Sequence, residues 1–71
     1  MFYKINKEVE GHSSHTINLD EVLYIYISCI NQNNIKICFK NNDTIDVICG
    51  SNKEGLKVYG EITSELINLN N

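Results

Sequence analysis

Few residues of this chain could carry chemistry: two histidines in EGHSSH, Glu10 to His15, spaced H-x-x-H, and three cysteines, Cys29, Cys38 and Cys49. Imidazole nitrogen and thiolate sulfur are zinc ligands, and a thiolate beside an imidazole is a covalent nucleophile, so both chemistries need weighing. Structural zinc sites are built from short Cys or His pairs, whereas these cysteines lie 9 and 11 positions apart. Gly11, Ser13 and Ser14 form turns readily, so the simplest reading makes His12 and His15 residues of an exposed turn; a metal site using them is the alternative. No metal or other cofactor is expected. The odd cysteine count without paired spacing reads as small buried hydrophobes with reduced thiols, which suits a cytoplasmic protein.

A cysteine nucleophile would need a histidine and an orienting acid to converge on it, yet the histidines fall in a turn and the cysteines in strand-like segments. There is no glycine-rich phosphate loop, no G-x-S-x-G elbow and no H-E-x-x-H. Asp20, Glu21, Asp43 and Asp46 sit among turn and alternating residues and read as solvated charges. The expectation is a protein that is not an enzyme.

What must position these residues is small. The 71 residues make room for one domain, 1–71. A chain this short hides only about 60% of its unfolded surface, and its core rarely supplies more than roughly 3–5 kcal/mol unaided, so association with another chain is expected. With 42% hydrophobic and 21% charged residues it belongs with globular sequences rather than disordered ones. Eleven Ile, eleven Asn and no Arg, Pro or Trp match AT-rich codons, as in a low-GC bacterium or its phage or mobile elements. A net charge of -3 without arginine makes nucleic acid an unfavoured partner, because phosphate and base contacts lean on Arg and Lys. No apolar run reaches the roughly 18 residues of a membrane span, and MFYKINKEVEG lacks the h-region of a signal peptide. The expected place is the cytoplasm, with no membrane contact.

The elements follow from periodicity. SNKEGLKVYGEITSELINL opens on Ser51 and Glu54 in capping-box spacing and predicts an amphipathic helix over about 52–68. At 100° per residue Leu56, Val58, Tyr59, Ile62, Leu66, Ile67 and Leu69 share its apolar half. Gly55 projects near that half, where a missing Cβ permits close approach, and Gly60 lies near the polar border. VLYIYISCI, NIKICFK and TIDVICG are Ile-, Val- and Tyr-rich and separated by asparagine-rich turns. They read as strands over about 21–30, 34–40 and 44–49, preceded by strands 2–9 and 14–18 joined through Gly11, with LDEV a tight bend. The fold class is α+β: an antiparallel meander of four to five strands with one C-terminal helix packed on one face.

The register can be argued as well. Setting Ile35, Ile37 and Phe39 beside Ile45, Val47 and Cys49 on the core face calls for an odd loop, Asn41-Asn42-Asp43, with Lys40 opposite Thr44. Leu23, Ile25, Ile27 and Cys29 then join the core, although the other face, with Tyr24 and Tyr26 inward, is an open alternative. The outer face carries Tyr24 beside Lys40, Tyr26 beside Cys38 and Asp46, and Ser28 beside Lys36 and Ile48.

INLDEVLYI, Ile17 to Ile25, followed by NIKICFK, resembles the opening of the LytTR family of bacterial DNA-binding domains. The resemblance implies a β-rich fold that reads DNA mainly with loops. The basic second half those domains use has no counterpart here, and no functional residue carries over.

Two functions follow from these features. The first is a non-enzymatic protein-protein interaction or accessory module, a homo-oligomer or binder of an unknown protein, using Tyr24, Tyr26, Ile30 and Ile48 on an outer face more apolar than solvent requires. The second is a small nucleic-acid-binding regulator, with Lys36 and Lys40 contacting phosphates and Tyr24 and Tyr26 stacking on bases.

Overall fold

A computed structural model describes residues 1–9, 11–12, 14–28, 30 and 34–69. The order is β1 (Phe2–Ile5), β2 (Glu8–Val9), β3 (His15–Asn18), a 3-10 turn (Leu19–Glu21), β4 (Val22–Ile27), β5 (Ile35–Phe39), β6 (Thr44–Ile48) and α1 (Asn52–Leu69). This is the expected α+β arrangement: a four-stranded antiparallel sheet in the order β2-β6-β5-β4, a two-stranded sheet β1-β3, and one C-terminal helix.

The first expected strand, 2–9, is two strands. A bend at Asn6 and Lys7 lets β1 pair with β3 while β2 pairs with β6, so one segment serves both sheets and the order departs from a plain meander. Gly11, with φ +86°, turns the chain back, and the backbone N–H groups of Val9 and His12 each donate to the other's carbonyl at 2.9 Å. The LDEV bend is the 3-10 turn, capped by the Asn18 side chain, which accepts from the Asp20 N–H at 3.1 Å.

The faces of β5 and β6 are as read, but the register differs by two residues. Ile37 lies opposite Ile45 and Cys38 opposite Thr44. The loop still has three residues, now Lys40-Asn41-Asn42: the Phe39 N–H donates to the Asp43 carbonyl at 2.8 Å, and the Asn42 N–H donates to the Phe39 carbonyl at 2.9 Å. Asn42 takes φ +74°, the left-handed residue that such a loop requires and that asparagine tolerates better than most. An even shift leaves every side chain on its own face.

The β4–β5 pairing is also displaced by two, with Tyr24 opposite Cys38 and Tyr26 opposite Lys36, and it breaks at a bulge between Val22 and Tyr24. The bulge reverses alternation locally. Val22 therefore packs on the core and Leu23, expected inside, is 58% exposed. Ile25 and Ile27 pack inward as expected, which settles the face of β4 with Tyr24 and Tyr26 outward. Cys29 and residues 31–33, which the expected register also used, lie outside the described residues.

The core is Ile5, Val9, Ile17, Leu19, Ile35, Ile37, Ile45, Val47 and Cys49 closed by Val58 and Ile62 of α1. The helix begins at a half-formed capping box. Ser51 Oγ accepts from the Glu54 N–H at 3.2 Å, while the Glu54 carboxylate turns instead to Lys7 at 2.8 Å. Its buried stripe runs Gly55, Val58, Ile62 with Tyr59, Leu66 and Leu69 beside it, narrower than the expected half-circle. Leu56 and Ile67 consequently flank it, both 56% exposed.

Candidate functional site

The outer face of the four-stranded sheet gathers the expected interaction residues unevenly. Cross-strand pairing makes one row of Tyr24, Cys38 and Thr44 and a second of Tyr26, Lys36 and Asp46. Ile48 sits two strands further on, opposite Glu8. Between it and the tyrosines runs an ion pair, Lys36 Nζ to Asp46 Oδ1 at 3.4 Å. The apolar surface is therefore concentrated at the β4 edge: Tyr24 and Tyr26, 53% and 44% exposed, stack with centroids 6.2 Å apart and planes inclined by 17°. Ile30, 87% exposed just beyond β4, and Leu23 continue this surface, whereas Ile48 forms a separate, lesser patch.

Cys38 explains part of the local order. It is buried although it belongs to the outer face, because β5 is an inner strand and the tyrosines of β4 stand beside it. A side-chain hydrogen bond with Cys38 raises the Tyr24 phenol above its usual value. The row thus offers aromatic area with polar tips, a composition favoured in protein interfaces.

The residues of the nucleic-acid alternative are placed differently from its requirement. Lys36 is engaged with Asp46, and the two-residue shift carries Lys40 off the tyrosine row into the hairpin loop, where its N–H donates to the Glu21 carbonyl at 2.9 Å. No pair of unengaged lysines flanks Tyr24 and Tyr26.

The histidines part company. His12 lies exposed at the turn, as expected, but His15 is the first residue of β3, half-buried on its inward side opposite Ile5. Gly11 and the serines suggested one turn for both, but His15 also fell in the expected strand 14–18, and it is that strand, observed as His15–Asn18, that holds it. Among the described residues no three His, Cys, Asp or Glu side chains converge as a metal site would require. Cys38 and Cys49 are free and point to opposite faces, Cys49 within the core with Sγ 3.7 Å from the Val47 carbonyl oxygen. Burial pushes the Cys49 thiol up, the opposite of what a nucleophile needs.

Three of the four acidic residues read as solvated charges have structural partners as well. Asp20 meets the Met1 ammonium at 2.6 Å, Asp43 accepts from the Asn41 side chain at 2.9 Å, and Asp46 holds Lys36.

Sequence reading gave no hint of a cleft of about 290 Å3 between the Tyr3–Lys7 segment and the first half of α1. Its charges are Lys4, Lys7 and Lys57 against Glu54 and Glu61, with Lys7 and Glu54 closing across it at 2.8 Å. It brings together neither a histidine nor a thiolate, and residues 47 positions apart meet there only because the first strand bends. Lys7 holds the Glu54 carboxyl below the usual carboxylate range, chiefly through their hydrogen bond, and Glu54 holds Lys7 above its usual value. The depressed carboxyl contributes stability above the usual carboxylate range and loses it as pH falls toward its folded value; the raised ammonium keeps its contribution until strongly alkaline pH. We expect Lys7→Met to move the Glu54 titration midpoint upward in a carbon-13 NMR titration. An unmoved midpoint would mean that the pair does not form in solution.

Compared with known protein families, with curated proteins and with solved structures, the chain matches none. The likeness of Ile17–Ile25 to LytTR domains therefore assigns no residue a role, and the local geometry alone carries the functional argument.

Proposed function

We propose that the protein is a non-enzymatic interaction module that binds protein chains, a second copy of itself first among them, through the tyrosine-bearing edge of its sheet. One observation carries this reading: the most apolar exposed surface of the sheet is the ordered row of Tyr24 and Tyr26, continued by Leu23 and Ile30, while helix α1 packs on the opposite face. Ile48 lies at the periphery of that contact. The small core adds support, since a chain of this size gains most of its missing stability by burying surface against a partner. Against catalysis stand a thiol raised by burial and a cleft whose lysine and glutamate neutralise one another.

Sedimentation equilibrium of Tyr26→Asp tests the reading. A carboxylate at this position leaves the core untouched, removes an aromatic ring from the contact and sets a second acid beside the Lys36 that Asp46 already engages, so the expected result is a folded monomer where the unmodified chain is a dimer. An unchanged dimer would remove the tyrosine row from the interface.

A further inference from the structure

Among the described residues β4 is an edge strand, bonded to β5 on one side only. Its sequence from Val22 to Ser28, VLYIYIS, contains no charge and no proline, two of the devices that keep an exposed edge from pairing, and its bulge lies at the start of the strand, between Val22 and Tyr24. The direction of its backbone groups follows from one bond. The Ser28 N–H donates to the Asn34 carbonyl at 2.8 Å, and in antiparallel pairing bonded and non-bonded pairs alternate, so Tyr26 and Tyr24 also bond toward β5. The N–H and C=O groups of Ile25 and Ile27 consequently point outward from the edge.

We infer that this edge pairs with β4 of a second copy of the chain, antiparallel about a two-fold axis through Ile25, giving a continuous eight-stranded sheet with both helices on one side. The inference rests on the interaction reading above and specifies its geometry. In this register Ile25 bonds to Ile25 of the second copy, and Tyr24 stands opposite Tyr26, the close non-bonded position where aromatic pairs interact best. The stacked Tyr24 and Tyr26 rings of each copy would extend into one ladder of four. The strand is its own best match: tyrosine meets tyrosine, isoleucine meets isoleucine, and no like charges oppose each other. The Tyr24 and Tyr26 rings stay on the outer surface of such a sheet and touch only along the seam, so the pairing draws on the outward backbone groups and on tyrosine contacts across it. A dimer with a dissociation constant on the order of micromolar is the corresponding expectation.

Two measurements on the full chain test the inference. In hydrogen exchange the Tyr24 and Tyr26 amides, bonded to β5, should be protected at every concentration, whereas the Ile25 amide should be protected only where the chain is dimeric and lose protection on dilution. Ile25→Pro removes an outward N–H and leaves every bond to β5 in place, so it should abolish the dimer while Ile25→Val retains it. A dimer that withstands Ile25→Pro, or one whose Ile25 amide exchanges as fast as a free edge, would overturn edge pairing. If Tyr26→Asp still dissociated that dimer, the outer-face reading would stand without it. A chain that stays monomeric at high micromolar concentration would overturn both.

Discussion

Replacing Ile62 by alanine should remove the cooperative thermal transition. Ile62 is fully buried where α1 closes over the sheet, flanked along the helix by Val58 and Leu66. Truncation of such a side chain costs about 2–5 kcal/mol through lost burial and the cavity left behind. A single core of this size supplies roughly 3–5 kcal/mol in all, so the loss is comparable with the whole stability. Leu56→Ala is the informative control, because Leu56 lies on the same helix and was expected on the same apolar half, yet is 56% exposed. Its melting curve should shift by no more than about 0.5 kcal/mol equivalent. Equal effects of the two substitutions in circular dichroism melts would mean that the helix is rotated relative to the sheet.

The same glycine-to-alanine change should have opposite signs at two positions ten residues apart. Gly50 joins β6 to α1 with φ +84°, and although nothing lies within 4 Å of an added Cβ, an L side chain is strained in that conformation. Gly50→Ala should cost about 1–2 kcal/mol. Gly60 lies within α1 with open space around an added Cβ and no positive φ. Gly60→Ala should stabilise by about 1 kcal/mol, the helix-propensity difference. Urea midpoints measure both, and a destabilising Gly60→Ala would indicate that this flank of the helix is covered by another chain.

Much of the architecture was legible because each element announces itself through its period. Alternation placed Ile35, Ile37, Ile45 and Val47 on one face and Tyr24 and Tyr26 on the other, and all are where alternation puts them. A period of two cannot, however, distinguish registers that differ by two residues, which is why Lys40 was set beside Tyr24 when Cys38 stands there. The choice belongs to loop chemistry, and Asn42 in a left-handed conformation makes it. The bulge at Leu23 left no mark in a run where every candidate residue is apolar or aromatic. Asn6 and Lys7 did not announce the bend that splits the first strand, because its benefit is tertiary: it brings Lys7 to Glu54 and Val9 into the core.

The candidate site was legible in its residues and less so in its shape. Tyr24 and Tyr26 stood out as exposed aromatics, but the Lys36 and Asp46 pair that separates them from Ile48 depends on register. That separation moves the proposed contact from the broad face to the β4 edge.

Native mass spectrometry of the unmodified protein tests the central claim most directly, because one spectrum gives the subunit count and any bound metal. The account predicts a metal-free dimer. A metal-free monomer at the same concentration would contradict self-association, and a zinc-bearing species would contradict the assignment of His12 and His15 to turn and strand alone.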